Sequence, residues 1–538
     1  MHRRRRFEKR TAAILLSRGQ MIVIVVLTLL AIAEALCFSP LVLLKTIVAF
    51  VIVFYLVFTY VLKVGLWLVA ILAKPRETIT ELPKGDDPSN PTYSILVPLR
   101  GEASSVKRAT NALMRLDYAI DKLEILLLLE KDDPGTIAAV RALNLPSYFR
   151  EIIVPLAGPR TKPKACVWGY MQAKGDRVVI YDAEDRSDAL QLLKAVAGFR
   201  LVSSSVGCLQ ATLSFWNPRA SWTSTFYWAE YVVHYRWVLV GLARLGLIPP
   251  LGGTSNHFLR KALDDVARTN GVWTQVMPDG RKVQRFGWLF YTPEGEPIEM
   301  YGPWDPFNVT EDADLAMRLA EARWRTEILQ NTVTNSVTYE EAPHRLRKST
   351  AQGARWLKGY GQTGLVHTRY PVQTIRQVGF WPYLVFNLFM LGTPLSLILN
   401  PITWGTFYLY VAAHFASLYG VTTFIEGLFP GPLYVAGLVA LAGNVVLLIQ
   451  QLLTPLLQQE EAEGREAEAD HELAANMEKE QYGLMPRLLL SPLWWTFRTL
   501  AAVKGIYELS RPSKRFHWSL SDHGYAAELE VQLEPTTE

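Results

Sequence analysis

The sequence predicts an α/β domain, built on a mostly parallel sheet and set between apolar helices long enough to cross a membrane. Three observations predict it. Apolar residues make up 50% of the 538 positions, yet they crowd the two ends and leave a long, charged middle. Within that middle, short β-rich runs alternate with amphipathic helical patterns, as βαβ units do. Several of those runs stop in clustered carboxylates, at the strand ends where parallel sheets hold ligands.

The charge balance and the cysteines narrow the class. A formal net charge of +5 over this length gives no ground for a nucleic-acid partner. Three scattered cysteines, Cys37, Cys166 and Cys208, exclude a disulfide framework and a cysteine-based zinc cluster. There is no GxGxxG and no GxxxxGK[ST], so neither the dinucleotide fingerprint nor the P-loop is present.

The chain opens on "MHRRRRFEKR", and residues 1–75 hold two apolar runs. The first, "QMIVIVVLTLLAIAEALCF", reads either as a membrane helix or, with its basic flank, as a cleavable signal. The second, "LVLLKTIVAFVIVFYLVFTYVLKVGLWLVAIL", follows Pro40. About 20 helical residues cross the roughly 30 Å of hydrocarbon. The second run returns the chain to the side of Lys74 and Arg76, which the positive-inside rule makes the cytoplasm. Residues 380–507 carry about four more apolar segments, near 380–399, 403–427, 432–456 and 488–507. The loop 458–481 is strongly acidic, and the 508–538 tail begins with the basic "SRPSKRF". Six crossings place that loop outside and the tail inside. The expected setting is a bacterial inner membrane, with the lipid bilayer as a partner.

The middle, residues 90–345, carries the chemistry. "YSILVPL", "LEILLLLE", "EIIVPL", "RVVIYDAED" and "VGCLQATL" are its strand candidates. Acidic clusters follow two of them: Glu130, Asp132 and Asp133; then Asp182, Glu184 and Asp185. A third, Glu311, Asp312 and Asp314, sits in "NVTEDADLAMRL" at the start of a helical pattern. One such cluster alone reads as a solvated loop; three converging on one sheet edge indicate a site. Residues 271–303, with two Gly/Pro turns, predict an inserted hairpin.

Asp182 and Glu184, one residue apart at a strand end, suit a hard divalent cation, which typically takes one or two carboxylates plus substrate phosphates. Such a cation neutralises charge on a departing diphosphate. A separate base must then deprotonate an attacking hydroxyl, and Asp312 is the candidate. A helix cap by Thr310 or Asp312 is the competing reading, compatible with the first. In the interfacial segment 346–379, "QGARWLKGYGQT" also reads two ways. It is either a basic helix lying at lipid headgroups or a diphosphate clamp, Arg355, beside a sugar-stacking Trp356.

Taken in order, Asp182-Ala-Glu184, Thr310-Glu311-Asp312 and Gln352-x-x-Arg355-Trp356 resemble the membrane-embedded family 2 glycosyltransferases, which include cellulose, hyaluronan and chitin synthases. "PRTKPKA", "PLGGTSNHF" and "RWLKGYGQT" are similar to a cellulose-synthase-like bacterial branch that includes the phage-receptor-like inner-membrane glycosyltransferases. The resemblance implies a GT-A (Rossmann-like) cytoplasmic glycosyltransferase domain inserted between transmembrane α-helices, a nucleotide-sugar donor (usually a UDP-sugar) and an inverting displacement giving a β-linkage. By position it implies that Glu102, Glu130 and Asp132 face the nucleoside and that Lys164 lies near the diphosphate. It implies that Asp182 and Glu184 hold Mg2+ or Mn2+, with Asp185 able to share or take that role, and that Asp312 is the base. Gln352, Arg355 and Trp356 would hold the donor diphosphate and the acceptor sugar, with His257 bordering the acceptor. The acceptor is a growing polysaccharide, handed to a periplasmic or outer-membrane export partner, or alternatively a lipid-linked sugar receiving a single addition.

Overall fold

The computed structural model describes residues 11–72, 81–270, 272–276, 282–329, 336–429, 432–454 and 481–516. The basic opening decapeptide, Lys74 and Arg76, the acidic loop as far as Glu480 and the tail beyond Phe516 lie outside the described residues.

The strand candidates become the sheet. β1 (Tyr93–Leu99), β2 (Leu123–Glu130), β3 (Phe149–Val154) and β4 (Arg177–Ile180) are its first four strands. β5 (Arg186–Ser187) and β7 (Thr212–Phe215) lie outside it, while β6 (Val206–Gln210), β8 (Asn256–Leu259) and, later, β13 (Arg325–Ile328) join it. The seven strands run in the order β13-β6-β8-β4-β1-β2-β3. All neighbours are parallel except β8, which is antiparallel to both β4 and β6. β1 and β2 are buried along their whole length apart from one half-buried residue, Glu124, as strands covered on both faces must be. A second, three-stranded sheet, β5-β14-β7, includes β14 (Val337–Glu340) and sits at the carboxyl end of β4. This is the GT-A-like α/β arrangement that the sequence predicts.

The segment 271–303 forms two antiparallel pairs where one hairpin was expected. β9 (Val272–Val276) pairs with β10 (Lys282–Phe286), and β11 (Trp288–Tyr291) pairs with β12 (Pro297–Met300). The second Gly/Pro turn, Pro293 to Gly295, closes the β11–β12 pair, with the Gly295 N–H donating to the Thr292 carbonyl; the first lies outside the described residues.

Among the described residues, four helices are long and apolar enough to cross a membrane. They are α1 (Arg18–Cys37), α2 (Pro40–Leu72), α13 (Phe380–Phe415) and the span Val435–Leu452 within α15 (Pro432–Leu452). α1 buries none of its side chains, whereas α2 shares a core with the sheet: Phe58, Leu62 and Leu66 pack in the same cluster as Leu96, Leu128 and Phe386.

The runs 380–399 and 403–427 do not form two separate helices. α13 continues through Pro394 and Pro401 to Phe415, followed by the ten-residue α14 (Tyr419–Leu428). Proline inside a helix removes the donor to the carbonyl four residues back. At Pro401 that carbonyl is Leu397, and the Thr499 hydroxyl donates to it at 2.6 Å. The carbonyl that Pro401 leaves without its helical donor is therefore satisfied. The weak run near 488–507 becomes α17 (Ser491–Ser510), outside the four spanning candidates.

α17 packs along α11 (Leu346–His367), the helix that carries Gln352, Arg355 and Trp356. Gly353 permits the approach, since a Cβ there would lie 2.5 Å from Arg498 Nη1. On α11 the Lys358 ammonium, buried, meets Glu508 of α17 at 3.0 Å.

Candidate active site

The carboxyl ends of β1 and β4, the start of α10 (Glu311–Glu321) and the middle of α11 surround one open cavity. Glu102, Asp182, Glu184, Asp312, Gln352, Arg355 and Trp356 all line it. Four distant segments are thereby brought to one place, and seven of the residues singled out in the sequence share it.

The acids of "EDAD" separate in space. Thr310 precedes α10 without making a capping bond, so the cap reading of that residue does not hold. Asp312 accepts the Ala313 N–H at 2.7 Å and faces the cavity beside Glu311. Asp314 turns to the opposite side, where Arg318 Nε donates to it at 2.6 Å and His367 Nε2 lies at 2.8 Å. Burial pushes the Asp314 carboxyl up, but Arg318 and His367 together outweigh it and hold the group down at about 2. The same arginine reaches Asp305, which also accepts the Thr11 hydroxyl and the Ala12 N–H, tying the start of the described chain to this domain.

Burial pushes the Asp312 carboxyl up to about 6 and that of Glu311 up to about 8. The neighbouring acids add to both shifts, with Asp182 repelling each. Glu340, at the end of β14, lines the same cavity and is raised well above the carboxylate range by burial and then by Asp185, Glu184 and Asp182. Against these acids stands Lys162, the first residue of α5 (Lys162–Tyr170). Its ammonium lies 2.5 Å from Asp182 Oδ1 and donates to the Gly253 carbonyl at 2.7 Å. Burial opposes the Lys162 charge, but Asp182 and Glu311 outweigh burial and hold its pKa raised. Glu311 was named in its acidic cluster without a role of its own, and Glu340, Lys162 and Tyr231 were not singled out in the sequence. An acid closing a strand was the available signal for Glu340.

Five residues lie elsewhere than the resemblance implies. Lys164 is fully buried and pairs with Glu130 at 3.0 Å, so these two neutralise each other beneath the site and neither lines the cavity. His257 has no exposed surface; it sits in β8 between Tyr93 and Gln191, at 3.2 and 3.4 Å, and burial lowers it to about 3. Asp185 turns inward, accepting the Asp182 N–H at 2.7 Å and the Thr254 hydroxyl. It shapes the Asp182–Asp185 turn and does not border the cavity that Asp182 and Glu184 line. Asp132 pairs with Arg160 at 2.8 Å and is likewise outside that lining.

On α11, the Trp356 ring lies against Tyr227 and Tyr231, with centroids 5.7 and 5.8 Å away, and keeps part of its surface open to the cavity. Gly359, one turn on, touches the Thr310 turn so closely that a Cβ would lie 2.3 Å from Thr310 Cγ2. Gly359→Ala is therefore expected to displace the start of α10 and with it Asp312. Because a displacement of about 1 Å at a reacting group costs on the order of a hundredfold, transfer by this variant should fall at least tenfold. Wild-type turnover in Gly359→Ala would show that α11 does not position Asp312.

Part of the chain is similar to known glycosyltransferases. Residues 177–423 match the family model described as glycosyl transferase family group 2, a stretch that includes Asp182, Glu184, Asp312 and the Gln352–Trp356 motif. The probable glycosyltransferase YdaM of Bacillus subtilis (strain 168) is 21% identical over 295 residues, covering 54% of this chain. The aligned stretch spans 58% of that protein. Among solved structures, the mannosyltransferase PcManGT from Pyrobaculum calidifontis, in complex with GDP-Man and Mn2+, is 18% identical with a TM-score of 0.43, covering 73% of this chain and 98% of its own. Glucosyl-3-phosphoglycerate synthase from Mycobacterium tuberculosis, in complex with Mn2+, UDP and phosphoglyceric acid, is 14% identical with a TM-score of 0.31, covering 56% and 87%. S. aureus TarS 1-349 is 12% identical with a TM-score of 0.33, covering 78% and 92%.

Proposed function

We propose that this chain transfers a sugar from a nucleotide-sugar donor, a UDP-sugar, onto a growing β-linked polysaccharide at the cytoplasmic face of a bacterial inner membrane. One observation carries the reading: Asp312, the Asp182–Glu184 pair and the Gln352–Arg355–Trp356 motif, far apart in sequence, line a single cavity. Asp312 takes the proton of the acceptor hydroxyl, inverting the configuration as that oxygen attacks from the face opposite the diphosphate. Arg355 offers its planar fork of donors to the diphosphate, and Trp356 offers a ring face to the acceptor sugar. Gln352 lies one turn before them. Glu102 borders the nucleoside end of the cavity.

The residues present fit a divalent cation. Among the described residues no three acidic, histidine or cysteine side chains already surround one point. Asp182 and Glu184 do line one cavity together, the two-carboxylate arrangement that donor phosphates complete around Mg2+ or Mn2+. When bound, such a cation neutralises charge on the departing diphosphate. The cellulose-synthase-like branch, the multi-pass topology and delivery to a periplasmic or outer-membrane export partner belong to the same proposal. The four apolar helices support it through their length and composition.

A second reading, one sugar added to a lipid-linked acceptor, is favoured by a chamber that leads from Asp312 in among α2, α13 and α15. A screen of nucleotide-sugar donors against the protein in lipid, reading nucleotide release and product length together, tests both. Long product with nucleotide release is expected. Single addition selects the second reading, and no release with any donor removes both.

The site also sets a pH dependence. A base must be ionised to accept a proton. With the Asp312 carboxyl near 6, lowering the pH from 7 to 5 should protonate it and reduce kcat/KM, and a bound cation should move the fall to lower pH. A rate that rises as the pH falls over that interval would contradict the assignment.

A further inference from the structure

The residues just before the first apolar helix, 11–17, form a strap fastened to the α/β domain. Thr11 and Ala12 are buried there, 1% and 2% exposed. The Thr11 hydroxyl donates to Asp305 Oδ1 at 3.0 Å, and the Ala12 N–H donates to Asp305 Oδ2 at 2.7 Å. The Arg369 guanidinium, just past α11, donates to the Thr11 carbonyl at 2.8 Å and also to the Ile14 carbonyl. Ser17 then caps α1 in a reciprocal pair with Gln20, at 3.2 and 2.9 Å. The Gln20 amide donates to the Leu365 carbonyl and the Thr368 hydroxyl at the end of α11, at 2.8 and 2.9 Å. α1 buries none of its own side chains, and the strap and Gln20 fasten it to the domain.

Asp305 is the pivot. It has no exposed surface, and a buried carboxylate needs donors. Among the described residues its side-chain oxygens accept three hydrogen bonds, two from the strap and one from the Phe307 N–H at 3.1 Å. From Asp305 two routes lead to Asp312. The first is Arg318, whose Nη2 lies 3.8 Å from Asp305 while its Nε donates to Asp314, two residues beyond Asp312. The second is the loop itself. The Asn308 N–H donates to the Asp305 carbonyl at 3.0 Å, and the Asn308 side chain accepts the Thr310 N–H at 3.1 Å and donates to Thr363 of α11 at 2.9 Å. Thr310 is the residue before α10.

With its strap donors in place, Asp305 leaves Arg318 to Asp314. Stripped of them, the buried carboxylate has Arg318 as the nearest charge to compensate it. A guanidinium drawn that way withdraws from Asp314 and pulls on the first turn of α10.

We propose that the strap of residues 11–17 positions the catalytic base: by satisfying Asp305 it holds α10, and thereby Asp312, facing the cavity. Thr11 is a positioning residue, and Asp305 is its relay. The inference rests on the reading of Asp312 as the base of a sugar transferase. It also requires that the working chain keep its first apolar run, since cleavage after that run would separate the strap from the rest of the chain.

The test uses the full chain in lipid nanodiscs with Mn2+, reading UDP binding and the release of UDP from UDP-glucose, UDP-N-acetylglucosamine and UDP-glucuronate. Thr11→Val removes the hydroxyl at nearly constant shape, and Thr11→Val with Ala12→Pro removes both strap donors. Because a displacement of about 1 Å costs on the order of a hundredfold, the double variant should lose about tenfold or more in kcat, with donor KM and UDP affinity within about twofold of wild type. Thr11→Val alone should lose about fivefold in kcat, and Thr11→Ser, which keeps the hydroxyl, should stay within about twofold of wild type. UDP binding reports folding; if the double variant fails that check, the two single variants decide. An unchanged kcat, a loss shared equally by kcat and UDP affinity, or a Thr11→Ser variant as slow as Thr11→Val overturns the proposal. The intact mass of the active wild-type protein should include residue 11, and an active chain that lacks it overturns the proposal as well. No UDP release by the wild type from any of these donors instead removes the transferase reading beneath it.

Discussion

Asp312→Asn is expected to abolish sugar transfer while leaving nucleotide binding in place. The change keeps the shape of the side chain and its place at the start of α10, where Asp312 accepts the Ala313 N–H. What is lost is a lone pair basic enough to take the acceptor proton. General-base catalysis contributes about 10²- to 10⁴-fold, so turnover should fall by that factor. On the proposed reading the donor is held by Arg355, Asp182 and Glu184, which lie on other segments of the cavity wall, so the affinity for UDP should change little. The variant should also melt at a higher temperature than the wild type. Burial and like charges raise the Asp312 carboxyl to about 6 from an ordinary 3.8, so at neutral pH the ionised form destabilises the fold and Asn removes that cost. Lost activity together with raised stability separates a catalytic role from a structural one. A cap or a packing residue replaced at this position would lower both.

Asp182→Asn is expected to be nearly as damaging, by a different route. Asp182 is the direct partner of Lys162 and repels Glu311, Asp312 and Glu340. Its removal takes away one of two carboxylates available to a cation and frees the Lys162 ammonium to turn toward Glu311. Transfer should fall about 10²-fold or more, as when a charge-stabilising group is lost from an active site. The diagnostic readout is the metal dependence of donor affinity. In the wild type and in Asp312→Asn, adding Mg2+ or Mn2+ should tighten UDP-sugar binding, and EDTA should reverse it. In Asp182→Asn that response should largely vanish. Undiminished metal-stimulated binding in Asp182→Asn would remove this residue from the cation site.

Much of this site was legible because strand periodicity is a strong signal. The run "YSILVPL" is β1 residue for residue, and "LEILLLLE" is β2, so the acids that follow them fall at one sheet edge as the pattern requires. What the pattern does not fix is which way a side chain points once the strand has ended. Asp182, Glu184 and Asp185 occupy one turn, and the backbone path sends the last of them inward to hold that turn. Lys162 and Lys164 begin a helix two residues apart, roughly 200° around its axis, so only one of them can face the cavity. The resemblance selects Lys164; the packing of α5 selects Lys162 and buries Lys164 against Glu130. His257 was drawn toward the acceptor by the Gly-rich turn before it. Gly253 and Thr254 of that turn do border the cavity, but β8 carries the chain away, and His257 ends between Tyr93 and Gln191. The strap of residues 11–17 was out of reach, because the sequence marks it only as the flank of an apolar run.

The most direct test is cryo-electron microscopy of Asp312→Asn in lipid with a UDP-sugar and Mn2+. The account predicts diphosphate density between Arg355 and the Asp182–Glu184 pair, with residue 312 facing the sugar's anomeric carbon across the width of one acceptor hydroxyl. A donor bound elsewhere, or a residue 312 more than a sugar ring from it, would contradict the account.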